Sequence, residues 1–238
     1  MKSRRMQFGG LAFIAVALGM SACSDPAGPE ADGALQVRAF SRGFAETMGP
    51  ASGDVSTVEI SRVYVVLGRL KLEKAADGTE DFTDERSIVI ELGPGSEPVL
   101  AIAADVPLGE YKELELAIDK LERGHPIEQS LIQTYPGLDD ASLLIEGTYT
   151  RDDGEAEAFS FAAALDIDLE VAFTPPLIIE RLEPGATLLS LVLDGSDWFR
   201  SPTGALLDPT AEANRSMIES AIQKSIELFE DPNRDGRK

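Results

Sequence analysis

The chain has 238 residues, of which 42 are Asp or Glu and 21 are Lys or Arg, and its formal net charge at pH 7 is -21. Because so negative a surface repels phosphate backbones, the composition argues against nucleic-acid binding. One cysteine and one histidine are too few for a disulfide framework, a cysteine-based zinc site or a His pair, and a Ser–His–Asp triad built on His125 has no further support in the sequence.

The first 22 residues have the order of a secretory signal peptide. A basic segment, an apolar run of eight residues and a stretch of small residues precede the cysteine: Lys2, Arg4 and Arg5; Leu11 to Leu18; and Gly19 to Ala22. The apolar run is shorter than the ~18 to 20 residues that a membrane-spanning helix needs. The segment resembles the lipobox of bacterial lipoproteins, which implies that Cys23 is lipidated, carries palmitate and becomes the first residue of the mature protein. An ordinary cleaved signal that leaves Cys23 as a free thiol is the alternative.

The next segment, residues 23–34, is rich in Pro, Gly, Ala and acidic residues and is predicted to be a flexible tether. The resemblance to lipoproteins implies that Ser24 permits transfer to the outer membrane, if the host has two membranes. Removing residues 1–22 takes away three basic residues and no acidic ones, so the mature charge is 18 minus 42, or -24. Anionic membranes should therefore repel the mature domain, which would be attached to them only through its lipid.

Residues 35–199 are predicted to form an antiparallel β-sandwich of about nine or ten strands. Runs rich in β-branched and apolar residues, or alternating between apolar and polar, predict these strands: Leu35 to Phe40, Val58 to Glu73 with Gly68 at a bulge or a break, Ser87 to Leu92, Val99 to Ala103, Tyr111 to Leu121, Leu143 to Thr150, Ala156 to Phe161, Leu165 to Phe173 and Thr187 to Leu193. The sequence thus belongs to the all-β class.

Residues 200–238 are predicted to form an amphipathic C-terminal helix and an acidic polar tail packed on the sandwich. Apolar residues recur at helical spacing at Ile218, Ile222, Ile226 and Phe229, which predicts a helix of about five turns. The apolar stripe is expected to dock on the sandwich, and a helix that binds a partner's groove is the alternative. Trp198 is expected to fill the space between the sandwich and the helix.

One turn carries a family resemblance. Pro107, Gly109 and Tyr111 form a Pro-x-Gly-x-Tyr sequence that leads into an alternating strand, where Gly permits a tight turn and Tyr can start the strand against the core. Together with the long strand before it, this turn resembles an uncharacterised β-sandwich domain of bacterial envelope lipoproteins, with a transthyretin-like or immunoglobulin-like layout. The resemblance implies a fold and no catalytic residue.

Two acidic motifs are candidate sites. Asp166, Asp168 and Glu170 alternate with apolar residues, which places three carboxylates on one face of a strand. This acidic ladder could hold a hard cation, or it could be a solvated face with Lys or Arg partners on the neighbouring strand.

The second motif is at the C-terminus. Asp231, Asn233, Asp235 and the following glycine match the first half of a calcium-binding loop, without the acidic residue that closes it. Calcium is therefore the one metal that the sequence leaves open, and no other cofactor is expected.

The expected function is that of a lipid-anchored, non-catalytic binding or structural module of the bacterial cell envelope. Its expected partners are the lipid bilayer, through Cys23, and an envelope protein or a glycan. Two alternatives stay open: a calcium-dependent adhesion or glycan-binding module, motivated by the acidic motifs, and a carboxylate-dependent hydrolase, which needs only two suitably spaced acids.

Overall fold

The computed structural model describes residues 32–44, 47–48, 55–76, 78–151, 154–180, 187–233 and 235–238. Cys23 and the predicted signal peptide lie outside the described residues. The described strands and helices are, in chain order, β1 (Asp32–Arg42), β2 (Thr47–Met48), β3 (Val55–Lys74), β4 (Phe82–Asp84), β5 (Ile88–Leu92), β6 (Val99–Pro107), β7 (Gly109–Ile118), α1 (Pro126–Thr134), β8 (Leu143–Arg151), β9 (Ala156–Ala163), β10 (Ile167–Ile179), β11 (Thr187–Asp194), α2 (Arg215–Lys224) and β12 (Ile226–Glu230).

The strands form two sheets that pack against each other, which confirms the all-β sandwich. A four-stranded sheet has the order β12-β11-β1-β6, and an eight-stranded sheet has the order β10-β7-β3-β8-β9, with β2, β4 and β5 also paired to β3. The run from Val58 to Glu73 is a single long strand, and its register shifts near Gly68. β1 includes residues 32–34 of the predicted tether, because Asp32 pairs with Pro107 of β6.

Alternation along the strands explains why the two sheets enclose a core. In β1, Leu35, Val37 and Ala39 are buried and belong to the main hydrophobic core, whereas the residues between them are more exposed. Because successive side chains point to opposite faces of a strand, one face of β1 is dry and the other is partly solvated.

One strand pair departs from the antiparallel prediction. β1 and β11 run parallel, with Val37 opposite Leu189, whereas the pairs between the other named strands are antiparallel. These two strands are far apart in the sequence, so no hairpin turn sets their relative direction. Strand direction is readable from the sequence only where a short turn joins the two strands.

The predicted five-turn C-terminal helix is wrong in its second half. Helix α2 ends at Lys224, and Ile226 and Phe229 belong to β12, where Ile226 pairs with Leu193 of β11. The apolar residues from Ile226 to Phe229 also fit a short strand. The edge of β11 offers backbone hydrogen-bond partners to such a strand, and a longer helix would not use them. The remaining helix docks on the sandwich as predicted, because Ile218 and Ile222 are fully buried in the main core.

Trp198 connects α2 to the sandwich. Its ring packs against Phe44, with 5.2 Å between the ring centroids, and its Nε1 donates a hydrogen bond of 2.5 Å to Ser225 Oγ, just beyond the end of α2. The Ser225 hydroxyl in turn donates to the Ile222 carbonyl. Trp198 therefore lies between the sandwich and the helix, as the sequence predicted.

Helix α1 was not predicted. His125 lies in the bend before this helix and is its N-cap residue. Leu131 and Ile132 of this helix pack on a second, smaller hydrophobic cluster that includes Tyr64 and Val66 of β3. The neighbouring residues of β3 face the main core, so α1 covers the opposite face of the eight-stranded sheet. No helix among the described residues has the length and apolar character to span a membrane.

Candidate functional site

The acidic ladder has the alternation that the sequence predicts. Asp166 lies just before β10, Asp168 and Glu170 lie within it, and all three are exposed. The apolar residues between them, at positions 167 and 169, are half-buried and pack against the main core. The ladder is thus the solvent-exposed face of a strand whose other face packs against the core of the sandwich.

Basic residues of β3 compensate part of the ladder's charge. Arg69 Nη2 lies 3.3 Å from Asp168 Oδ1 and 3.6 Å from Glu115 Oε2 of β7, and Lys71 Nζ lies 3.5 Å from Glu115 Oε1. Glu170 is directly opposite Glu115 in the β10–β7 pair. Such exposed ion pairs contribute at most about 1 kcal/mol each, so their main effect is to offset the repulsion between carboxylates on adjacent strands.

Asp166 is the ladder residue that borders a pocket. The pocket has a volume of about 600 Å³, and five acidic and two basic residues line it. The acidic residues are Glu85, Asp119, Glu122, Glu128 and Asp166, and the basic residues are Arg69 and Lys120. The lining therefore carries a net charge of -3, which favours a cation or a basic group over an anionic ligand.

The bulge in β3 brings Asp119 into this pocket. The β3–β7 register shifts between Leu67 and Leu70, and Leu67 lies opposite Ile118. A Cβ atom at Gly68 would lie only 3.0 Å from Asp119 Oδ2. Glycine at this position therefore lets the carboxyl group at the end of β7 approach the β3 backbone closely.

Asp119 and Asp166 form the chemically distinctive pair of the pocket. Partial burial raises the pKa of Asp119, and the negative charges of Asp166 and Asp168 and a hydrogen bond with Asp166 raise it further, whereas Arg69 lowers it. A carboxyl group with a raised pKa keeps its proton at a higher pH than a free one. Asp119 can therefore donate a proton to a ligand, or bind a cation after losing that proton.

Glu128 of α1 forms one wall of the pocket and is held in place by two hydrogen bonds. Its Oε1 accepts from Ser87 Oγ at 2.7 Å, and its Oε2 accepts from the Glu122 backbone N–H at 2.5 Å. These bonds connect the helix to the segment before β5 and to the chain that follows β7.

The C-terminal motif has a structural role. Asp231 is buried, and its Oδ2 accepts hydrogen bonds from Ser190 Oγ at 2.6 Å and from Gly236 N at 2.7 Å. Asn233 and Asp235 are exposed, and Asp235 Oδ1 accepts from the Arg237 backbone N–H. Within the described residues, no group of three or more His, Cys, Asp or Glu side chains is arranged to hold a metal ion.

The tail that Asp231 begins folds back over the outer face of the four-stranded sheet. Arg42 of β1 donates a hydrogen bond to the Gly236 carbonyl, and Lys238 Nζ lies 3.2 Å from Glu227 Oε2 of β12. The loop thus joins β11 to the tail through the hydrogen bonds that Asp231 accepts from Ser190 and Gly236.

The sequence-predicted residues do not form one site. Asp166 lies at the pocket, Asp168 and Glu170 lie on the paired wet face, and Asp231 anchors the C-terminal tail. The sequence did not predict the pairing of Asp119 with Asp166. Only the pairing of β3 with β7 and β10 with β7 could have indicated it.

The fold and the site define the protein as an all-β sandwich with an acidic pocket between a bulged central strand and a surface helix. Comparisons with protein-family models, with curated proteins and with solved structures found no match for this chain. Its function is therefore argued from its own residues.

Proposed function

We propose that the chain is a lipid-anchored, non-catalytic binding module of the bacterial cell envelope, held in the outer membrane if the host has two membranes. The observation that carries this proposal is the signal-like segment that ends at Cys23, the single cysteine of the chain. A cysteine directly after a basic segment, a short apolar run and small residues is what lipidation requires, and no other position in the sequence competes for that role.

The acidic pocket supports the binding half of the proposal. Its carboxylates suit a basic segment of an envelope protein, or a glycan that donates hydroxyl hydrogen bonds. The fixed position of Glu128 and the close approach of Asp119 to Gly68 give the pocket a defined shape. A preformed concave surface of this kind binds without large rearrangement.

The anchor is tested by growing expressing cells with a labelled fatty acid. The wild-type protein should carry the label and Cys23→Ser should not. Ser21→Ala keeps a small residue before the cysteine and is the matched control, which should label like the wild type. Equal labelling of wild type and Cys23→Ser would overturn the anchor.

A carboxylate-dependent hydrolase is the second candidate, because Asp119 and Asp166 line the same concave pocket and the pKa of Asp119 is raised. Paired carboxyl groups with different proton affinities can divide acid and base roles. Release of reducing ends from envelope glycans should then be lost in Asp119→Asn and in Asp166→Asn. Glu170→Gln, on the same strand face outside the pocket, should retain it. Absence of hydrolysis by the wild-type protein across the glycan panel would reject this candidate.

A further inference from the structure

Three chain segments meet where the polypeptide enters the described fold. Asp32 of β1 pairs with Pro107 of β6, and Gly109 of β7 pairs with Ile179 of β10. A Cβ atom at Gly33 would lie 2.3 Å from Ile179 Cγ2 and 3.4 Å from Leu108 Cδ2. We call this surface, formed by residues 32–34, 107–110 and 177–180, the entry end.

The entry end exposes two large apolar side chains. Leu108 is 37% exposed and Ile178 is 55% exposed. The other exposed large apolar residues among those that the structure describes are Leu100, Ile127 and Met217, and they lie on β6, α1 and α2. Leu108, in the turn between β6 and β7, and Ile178, which pairs with Glu110 of β7, are the two that belong to the entry end.

Leu108 lies at the tip of the Pro-x-Gly-x-Tyr turn, and the contacts of the turn fix its position. Tyr111 is buried, and its hydroxyl donates a hydrogen bond of 2.6 Å to the Pro107 carbonyl. Gly109 has φ of +150°, a backbone conformation that a residue with a side chain rarely adopts. Lys74 Nζ donates to the Leu108 carbonyl at 3.1 Å and lies 4.2 Å from the Tyr111 ring centroid. The turn is thus fixed by three features, and Leu108 at its tip stays partly exposed.

The length of chain before this surface limits how far it can lie from a lipid anchor. Asp32 follows Cys23 by nine positions, and nine extended residues span at most about 30 Å. β1 then runs for 11 residues, or about 36 Å, to Arg42 at the opposite end of the sheet. An anchor at Cys23 would therefore keep Asp32, at the entry end, within about 30 Å of the membrane surface.

We propose that the entry end rests on the lipid bilayer, with Leu108 and Ile178 inserted at the headgroup boundary. This inference rests on the lipid anchor proposed above. Two apolar side chains give little affinity by themselves, but a short tether raises the local concentration of the membrane surface at this end. Lys74 is accompanied there by Glu110 and Glu180, so a neutral phospholipid surface is the expected partner and an anionic one is disfavoured.

The test uses the single cysteine of the mature chain, residues 23–238, as a chemical anchor. Cys23 is coupled to a maleimide-bearing lipid in phosphatidylcholine vesicles that contain brominated phosphatidylcholine, which quenches nearby tryptophan fluorescence. Trp198 is fully buried and supplies a constant background. In the coupled protein, tryptophan introduced by Leu108→Trp or by Ile178→Trp should be quenched at least ~2-fold relative to vesicles without bromine, as expected for a side chain at the acyl boundary.

Ile127→Trp is the matched control, because Ile127 is 50% exposed but lies on α1. It should not be quenched. Leu108→Trp combined with Cys23→Ser, mixed with the same vesicles, should also keep its fluorescence. Equal quenching at all three positions, or no quenching at positions 108 and 178 in coupled protein, would overturn the proposal. Because the anchor is attached chemically, the result does not depend on whether cells lipidate Cys23.

Discussion

Asp231 is a buried carboxylate, and we predict that its removal strongly destabilises the fold. Asp231→Ala leaves the buried Ser190 hydroxyl and the Gly236 amide without their acceptor, and each unsatisfied group costs about 1 to 3 kcal/mol. The free energy of unfolding in urea should therefore fall by about 3 kcal/mol. Asp235→Ala is the control, and this exposed residue should change the free energy of unfolding by less than about 1 kcal/mol.

The Asp235→Ala variant also tests the calcium alternative. Because hydrogen bonds from the protein already occupy Asp231, millimolar calcium is expected to leave the melting temperature of the wild type unchanged. A calcium-induced rise in the melting temperature that Asp235→Ala abolishes would contradict this expectation and support a calcium loop.

Asp119 has a pKa that partial burial and the nearby carboxylates of Asp166 and Asp168 raise above its ordinary value of 3.8. A group with a raised pKa in the folded state stabilises the fold below its unfolded pKa, and this contribution is lost as pH rises through the folded pKa. Asp119→Asn removes the charge that the pocket disfavours. We therefore predict a higher melting temperature than that of the wild type at pH 7, and a difference that disappears below about pH 3.8.

Asp105→Asn provides the control for this pH dependence. Asp105 is an exposed carboxylate on β6, in the other sheet, and its replacement should change the melting temperature at pH 7 less than Asp119→Asn does. If Asp119→Asn were instead destabilising at pH 7 and neutral at pH 3, the charged form of Asp119 would be the stabilising one.

At the scale of elements, α2 depends on its two fully buried isoleucines. Ile222→Ala creates a cavity between the helix and the sandwich, and a buried large-to-small change of this type costs about 2 to 5 kcal/mol. We expect a loss of free energy of unfolding in that range, measured by urea denaturation. Met217→Ala, on the same helix but 40% exposed, keeps helix propensity and should change stability by less than about 1 kcal/mol. Equal effects of the two variants would mean that α2 does not dock through Ile222.

The strands were largely predictable from the sequence, and the exceptions share a cause. Alternation identified β3, β7 and β8 because their periodicity is local. The chain from Ile226 onward fits a helical and a strand pattern alike, and the edge of β11 decided between them. Helix α1 buries no residue fully, so its weak apolar stripe gave little signal.

At the scale of the whole molecule, the charge of -24 on residues 23–238 predicts a salt-dependent stability. Raising ionic strength from about 0.01 M to 0.15 M shortens the Debye length from about 30 Å to 8 Å. Screening reduces the repulsion between carboxylates over the whole surface and weakens exposed ion pairs such as Arg69–Asp168, which contribute little. The melting temperature at pH 7 should therefore rise by a few degrees when sodium chloride is added.

The control for this salt effect is the same titration near the sequence pI of about 4.3. Net repulsion is small there, so the stabilisation by salt should be absent or reversed. A melting temperature that falls with salt at pH 7 would indicate that the surface ion pairs outweigh the repulsion.

The sequence by itself determined the properties that depend on composition and local periodicity. These are the all-β class, the wet and dry faces of the strands, and the prediction of a lipid anchor at Cys23. Only the tertiary structure decided the parallel pairing of β1 with β11, the strand after α2 and the approach of Asp119 to Asp166. These features depend on which distant segments share backbone hydrogen bonds and a core. The free energy of that pairing depends on both segments, so it cannot be predicted from the sequence of either segment by itself.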